Sequence, residues 1–136
     1  IISTEGGSVD DMFALYDVCN TLDSPVHTTA IGKCMSAAPL LVAGGEKGYR
    51  YATPNTFFML HEAWEDFGAK RMDELKLDLK HYKEMGIRWG ELMEKHTKRP
   101  AKFWHNMCKK PGDTYFSAEK ALEWGLIDHI RNQKED

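Results

Sequence analysis

The stretch Val26-His-Thr-Thr-Ala-Ile-Gly-Lys-Cys-Met-Ser36-Ala-Ala-Pro39-Leu-Leu-Val-Ala-Gly-Gly45 contains the features that decide the fold. Its first part, Val26 to Ile31, predicts a β-strand that ends at Gly32, because β-branched residues favour strands and glycine interrupts them. Ser36 then opens a short apolar helix with Pro39 in its first turn, where proline is tolerated. A strand is therefore expected to give way to a helix close to Ser36.

Strands and helices alternate along the rest of the chain. The turn Gly6-Gly7-Ser8 ends a first short strand, and Ser8 with Asp11 resembles a helix-capping pair. Further elements are predicted as strands at residues 49–52, 56–60 and 126–130, and as helices after Ser8 and at residues 71–96, 101–108 and 118–124. The helix after Ser8 carries an apolar face of Met12, Leu15, Tyr16, Cys19 and Leu22. This alternation predicts one α/β domain over residues 1–136.

The longest predicted helix has two apolar lines. One recurs at steps of three and four, predicts a continuous buried seam, and consists of Met72, Leu75, Leu79, Tyr82, Gly86, Trp89 and Met93. The other consists of Leu77, Met85 and Leu92. A second apolar line packs either against a neighbouring element of the same chain or against another subunit, and the pattern leaves both interpretations open.

Composition excludes several classes of function. The chain has 136 residues, 42% hydrophobic and 29% charged, which is typical of a folded globular domain. A net charge of -3 with scattered Lys and Arg does not favour nucleic-acid binding. No apolar run approaches the about 20 residues that a membrane helix needs. The sequence also contains no Walker loop, the motif that would indicate ATP binding. The histidines show no metal-site spacing, so neither a metal nor another cofactor is expected.

The cysteines and the first residues bear on the cellular setting. Cys19, Cys34 and Cys108 are irregularly spaced and suit neither a disulfide framework nor a zinc site, which predicts a reducing compartment. We predict a cytoplasmic location, with an organelle or the cytoplasm of a virus-infected host as alternatives. The chain lacks an initiator Met and opens on a predicted strand, so an N-terminal part is expected to be missing.

Several residues could serve acyl transfer, which needs a nucleophile, a base, an orienting carboxylate and N–H donors for the oxyanion. Ser36 lies at a strand-to-helix turn, His61 closes a predicted strand, and Gly6-Gly7 could present free N–H groups. Each residue alone also has a plainer interpretation, as an N-cap serine, a structural histidine or, for Asp113, a turn aspartate. The Gly-x-Ser-x-Gly elbow of α/β-hydrolases is absent.

Four segments in order resemble the proteolytic subunit of the Clp protease, ClpP. Residues 32–50 resemble its nucleophile segment, and Arg50-Tyr-Ala-Thr-Pro-Asn55-Thr-Phe-Phe-Met-Leu-His61 resembles its histidine segment. Residues 113–128, which begin Asp113-Thr-Tyr-Phe-Ser-Ala118, resemble its aspartate segment, and Thr4-Glu-Gly-Gly-Ser-Val9 resembles its glycine turn. The resemblance covers nearly the whole chain.

The resemblance implies a role for each matching residue. Ser36 would be the nucleophile, His61 the general base and later acid, and Asp113 the carboxylate that orients the imidazole, with the N–H groups of Gly7 and Ala37 as oxyanion hole. It also implies a ββα superhelix shared with crotonases, and two stacked homo-oligomeric rings that degrade peptides or unfolded proteins. An ATP-driven unfoldase of the AAA+ type would be a separate partner chain.

The chain departs from the family pattern near the expected substrate groove. Glu5 replaces a proline in the glycine turn, Ala37-Ala38-Pro39 follows the nucleophile, and the loop before Asp113 is longer than usual. The segment after the histidine, where family members pair with substrate as an added strand, carries Glu62, Trp64, Glu65 and Asp66. These acids should disfavour acidic peptides. Trp64 is expected to pack against Phe67 or to line a side-chain pocket.

Three alternatives follow from the same residues. Lys33 could act as the base of a Ser-Lys dyad, although a solvated lysine is the plainer interpretation. A crotonase-type acyl-CoA enzyme would share the fold without needing Ser36. A catalytically silent ring subunit would keep the fold and assembly but not the chemistry. Trp89, Trp104 and Trp124 lie on apolar faces and are expected in the core or an interface.

Overall fold

The structure, a computed structural model, describes residues 1–132 and has the predicted α/β architecture. Residues 133–136, to which the single-domain prediction extends, lie outside the described residues. The strands are β1 (Ile2–Thr4), β2 (Thr28–Met35), β3 (Arg50–Ala52), β4 (Phe57–Leu60), β5 (Thr114–Ser117) and β6 (His129–Ile130). The helices are α1 (Val9–Thr21), α2 (Ala38–Ala43), α3 (Met72–His96), α4 (Ala101–Cys108) and α5 (Ala118–Glu123).

The sheet has the order β5-β4-β2-β3-β6, with β1 paired to β2 as well. All pairs are parallel except β4 with β5. Met35 pairs with Met59, and Leu60 pairs with Thr114. Because parallel strands share a direction and β5 runs the other way, β2 and β4 end at the sheet edge where β5 begins. Ser36, His61 and Asp113 are the residues next to these strand ends.

Strand β2 continues past Gly32, so the prediction that it ends there was wrong. Gly32 has a φ of 66°, and the pairing with β1 shifts from Ile2–Ala30 to Thr4–Cys34 across it. The glycine therefore forms an irregularity within the strand, where its left-handed conformation costs little, and pairing resumes beyond it. The extra residues bring the strand end to Met35, next to Ser36.

The core lies between the sheet and the helices. Its largest fully buried side chains include Trp104, Phe58, Leu40, Leu60 and Met93. The expectation for the tryptophans holds for the core, since Trp104 is buried and Trp89 and Trp124 pack partly buried against it. In α1, whose N-cap Ser8 accepts from the N–H of Asp11, Met12 and Tyr16 are buried.

Other predicted apolar positions are exposed. Leu15 and Leu22 of the α1 face are more than half exposed. In the seam of α3, Met93 is buried, Leu75, Tyr82 and Trp89 are half-buried, and Met72, Leu79 and Gly86 are exposed. The continuous buried seam was therefore wrong for this chain alone, because α3 packs on α4 and α2 while its first turns lie outside the core. Leu77 of the second line is also exposed, and its coverage by another subunit stays a prediction.

Within residues 1–132, no helix is both long and apolar enough to cross a membrane.

Candidate active site

Ser36 occupies a strained turn directly after β2. Its φ of 58° is the only positive value for a non-glycine residue among residues 1–132. Such left-handed conformations cost about 1–2 kcal/mol and persist where neighbouring structure imposes them. Here the N–H of Ser36 donates to the carbonyl of Met59 at 2.8 Å, which ties the turn to β4. The turn lifts the hydroxyl away from the strand and toward the residue that follows β4.

His61 lies within hydrogen-bond distance of that hydroxyl. Ser36 Oγ lies 2.7 Å from His61 Nε2, and both side chains are half-buried. In the tautomer with its proton on Nδ1, the ring nitrogen Nε2 accepts the hydrogen bond from the serine. This geometry suits a hydroxyl nucleophile and a general base.

Asp113 lies near this pair but is not bonded to it. The aspartate is exposed and lines, with His61, a cavity of about 270 Å³ whose other walls are Glu62 and residues 109–112. Among residues 1–132, neither a hydrogen bond nor an ion pair joins the Asp113 carboxylate to the imidazole. The structure thus brings the predicted nucleophile and base together and leaves the predicted orienting carboxylate across the cavity.

The glycine turn lies against the Ser36 turn. A Cβ on Gly6, whose φ is 102°, would come within 2.7 Å of both the Ser36 Cβ and the Met35 carbonyl oxygen. Only glycine permits this approach. Gly7 follows, and the N–H groups of Gly7 and Ala37 donate to no protein group in the described part of the chain. Two free donors on either side of Ser36 could stabilise a developing oxyanion.

A family model described as Clp protease matches residues 1–134. The chain belongs to the Clp protease family. Both the predicted family and the predicted ClpP-like fold are confirmed. Membership supports a ClpP-like peptidase with peptide substrates, and ring-shaped oligomers are the assembly that the family implies.

In this Clp protease family member, Lys33 is engaged away from Ser36. Its Nζ donates to Glu5 Oε1 at 2.7 Å, and both side chains are exposed. The hydrogen bond from Lys33, together with its positive charge, lowers the pKa of Glu5. A charged lysine paired with a carboxylate is not a free base, so this pair favours His61 over the Ser-Lys dyad. The carboxylate that replaces the family's proline therefore has a partner on β2.

The segment after His61 forms no strand in this Clp protease family member. Residues 61–68 have no helix, strand, turn or bend, and Glu62, Trp64, Glu65 and Asp66 are exposed. Trp64 is 79% exposed, and the packing against Phe67 that we expected was wrong. Phe67 instead meets Tyr82 of α3 edge-to-face, with ring centroids 6.0 Å apart.

Sequence reasoning also missed Tyr82 as a residue of the site. Its position in an apolar line of α3 indicated a core tyrosine, whereas its hydroxyl donates to the carbonyl of Ala63. No spacing rule signals a hydrogen bond between residues that lie in different elements, so only the folded chain reveals it.

Proposed function

We propose that this chain is a serine endopeptidase that cleaves peptide bonds through an acyl-enzyme, with Ser36 as nucleophile, His61 as base and Asp113 as orienting residue. The observation that carries the proposal is the 2.7 Å contact between Ser36 Oγ and His61 Nε2 at the edge where β2 and β4 end. Membership of the Clp protease family supports the same chemistry.

In the proposed reaction, Ser36 Oγ attacks the scissile carbonyl while His61 Nε2 takes the hydroxyl proton. The oxyanion accepts hydrogen bonds from the N–H groups of Gly7 and Ala37. His61 then protonates the leaving amine, and the acyl group remains on Ser36. A water then attacks the ester while His61 takes its proton. His61 passes this proton to Ser36 Oγ, which releases the acyl group as a carboxylic acid and restores the enzyme.

Asp113 completes the proposed triad after a small movement. Residues 109–112 connect α4 to Asp113 through turns and bends, and the loop borders the open cavity beside His61. Catalytic hydrogen bonds are often long in free enzymes and tighten with substrate. We therefore expect Asp113 to approach the N–H at Nδ1 when a peptide or a neighbouring subunit orders this loop.

The proposal extends to assembly and location. We expect stacked homo-oligomeric rings that enclose the sites, and an AAA+ unfoldase as a separate partner that delivers unfolded protein. The exposed α3 residues Met72, Leu77 and Leu79 are consistent with coverage by other subunits. Cys19, Cys34 and Cys108 are unpaired thiols, which supports a reducing, cytoplasmic setting.

Fluorophosphonate labelling tests the proposal directly. Wild type should be labelled covalently and should hydrolyse a fluorogenic peptide, whereas Ser36→Ala should do neither. Ser24→Ala, which removes an exposed hydroxyl from the loop after α1, is the matched control and should behave as wild type. Labelling that survives in Ser36→Ala would show that another residue is the nucleophile.

The second candidate is a catalytically silent ring subunit. The exposed Asp113, which does not bond to His61, favours it, because an unoriented imidazole is a poor base. This candidate predicts a folded, ring-forming wild type that neither reacts with the fluorophosphonate nor cleaves peptides.

A further inference from the structure

The segment that leaves His61 is held to the protein by one side chain of α3. Tyr82 is half-buried, and its hydroxyl donates to the carbonyl of Ala63, two residues after the histidine. The same ring packs edge-to-face against Phe67. Tyr82 therefore contacts both ends of residues 63–67, a stretch that makes no ladder hydrogen bonds in the described structure.

The start of α3 adds two anchors further along the chain. Lys70 forms an ion pair with Asp78, and the N–H of Arg71 donates to Glu74 at 3.1 Å. Both anchors lie after Phe67. Between Glu62 and Phe67, the hydrogen bond to another element within residues 1–132 comes from Tyr82. Burial, together with the negative charges of Glu62 and Glu65, raises the pKa of Tyr82. The hydroxyl thus keeps its proton, and remains a donor, at neutral and mildly alkaline pH.

The bond to Ala63 also decides which backbone groups remain free. A carbonyl that already accepts a hydrogen bond from Tyr82 is not free to pair with an added strand, and the Ala63 carbonyl is such a group. The backbone groups of Glu62 and Trp64, in contrast, form no hydrogen bond within residues 1–132. A peptide that adds as a strand must pair with free backbone groups of this kind.

We propose that Tyr82 is a positioning residue, which holds the segment after His61 against α3 and so presents the backbone of Glu62 and Trp64 to a peptide substrate. The inference rests on the peptidase function proposed above. Within residues 1–132, Tyr82 forms neither a hydrogen bond nor a ring contact with Ser36 or His61, so its loss should weaken peptide binding without changing the reactivity of the Ser36–His61 pair.

Steady-state kinetics and labelling together test this role. Tyr82→Phe keeps the ring contact with Phe67 and removes only the hydroxyl. Loss of one hydrogen bond of about 1 kcal/mol should raise KM for an extended peptide by about fivefold. The rate of fluorophosphonate labelling, which needs no extended peptide, and kcat should stay within about twofold of wild type.

The matched control is Tyr49→Phe. Tyr49 directly precedes β3, and its carbonyl accepts from the N–H of Thr28, at the end of β2 opposite Ser36. Its ring stacks on His27. It should leave both constants unchanged. A second variant, Phe67→Leu, removes the ring partner of Tyr82 and should raise KM in the same way, which covers the case that Tyr82→Phe does not fold.

Each result separates the inference from the function on which it rests. If wild type cleaves peptides and both variants retain its KM, Tyr82 has no positioning role. A parallel fall of kcat and labelling rate at unchanged KM would also overturn the inference, because it would place the effect on the Ser36–His61 pair. Wild type that is neither labelled nor active would instead refute the peptidase function.

Discussion

Arg50 and Asp128 form a bidentate ion pair that joins the start of β3 to the residue before β6. Arg50 Nη2 lies 2.7 Å from Asp128 Oδ1, and Arg50 Nε lies 2.8 Å from Oδ2. The guanidinium is almost fully buried and also donates to the carbonyls of Ala43 and His96. Every partner of this charge lies in a different part of the chain, so the pair connects α2, α3 and the sheet.

Asp128→Asn should therefore destabilise the protein. The substitution leaves the Arg50 charge buried without its counter-charge, and breaking a buried pair in this way costs about 3 kcal/mol. The free energy of unfolding measured in urea would show the loss. Asp23→Asn, at an exposed aspartate, is the control and should change it by less than about 0.5 kcal/mol. A loss as small as the control's would mean that the pair contributes little.

The same pair should contribute to stability at low pH. Burial alone would raise the pKa of Asp128, but hydrogen bonds from Arg50 and the Gly48 N–H, with the Arg50 charge, outweigh it and lower the pKa to about 2. The unfolded carboxyl titrates near ~3.9. Stabilisation is therefore complete above about pH 4 and is lost as pH falls through about 2. The free energy of unfolding of wild type, measured in urea at a series of pH values, should fall more steeply in that window than that of Asp128→Asn.

His96 should make stability depend on pH in a higher window. Burial, and the positive charges of Lys95 and Arg50, lower the pKa of His96 to about 4, and Tyr16 lies 2.6 Å from its Nε2. Below the unfolded value near ~6.5, the unfolded chain binds the proton more readily, so stability falls as pH drops from about 6.5 to about 4. His96→Gln should reduce the change of the urea unfolding midpoint with pH over this range. His27→Gln, at an exposed histidine, should not. Equal slopes in wild type and His96→Gln would contradict the assignment.

Gly6→Ala tests the contact between the glycine turn and Ser36. Its Cβ would collide with Ser36 Cβ and the Met35 carbonyl, so the Ser36 turn must shift. We expect the rate of fluorophosphonate labelling to fall about 100-fold, the scale of losing an oxyanion donor. Gly48→Ala is the matched control, since its φ is 93° but a Cβ there meets nothing within 4 Å. Equal labelling by the two variants would show that the close approach at Gly6 is not needed.

Asp113→Asn tests whether the aspartate acts despite its distance from His61. If Asp113 orients the imidazole when substrate is bound, kcat for peptide cleavage should fall on the order of 1,000-fold. Asp23→Asn, at an exposed aspartate in the loop after α1, should stay within about threefold of wild-type kcat, since it carries no orienting role. An unchanged kcat in Asp113→Asn would remove the residue from the proposed mechanism.

Local patterns predicted some elements well. Helix α4 runs from Ala101 to Cys108 as expected, and α3 begins one residue later than expected and ends at His96. Both helices follow from apolar periodicity with a proline or polar boundary, signals that neighbouring residues carry themselves. Strand β5 was not predicted, because it depends on pairing with β4, and Phe58–Phe116 contact arises only in the folded sheet.

The amino-acid sequence alone determined the α/β class, the family motifs and the strand end at which His61 lies, because each depends on residue types and their order. Tertiary structure alone decided the 2.7 Å approach of Ser36 to His61, the separation of Asp113, the exposed first turns of α3 and the contact of Tyr82 with Ala63. These features depend on register, loop path and packing between distant segments. A change of one residue in the register of β2 or β4, for example, would move every side chain of that strand to the opposite face of the sheet, whatever its neighbours in sequence.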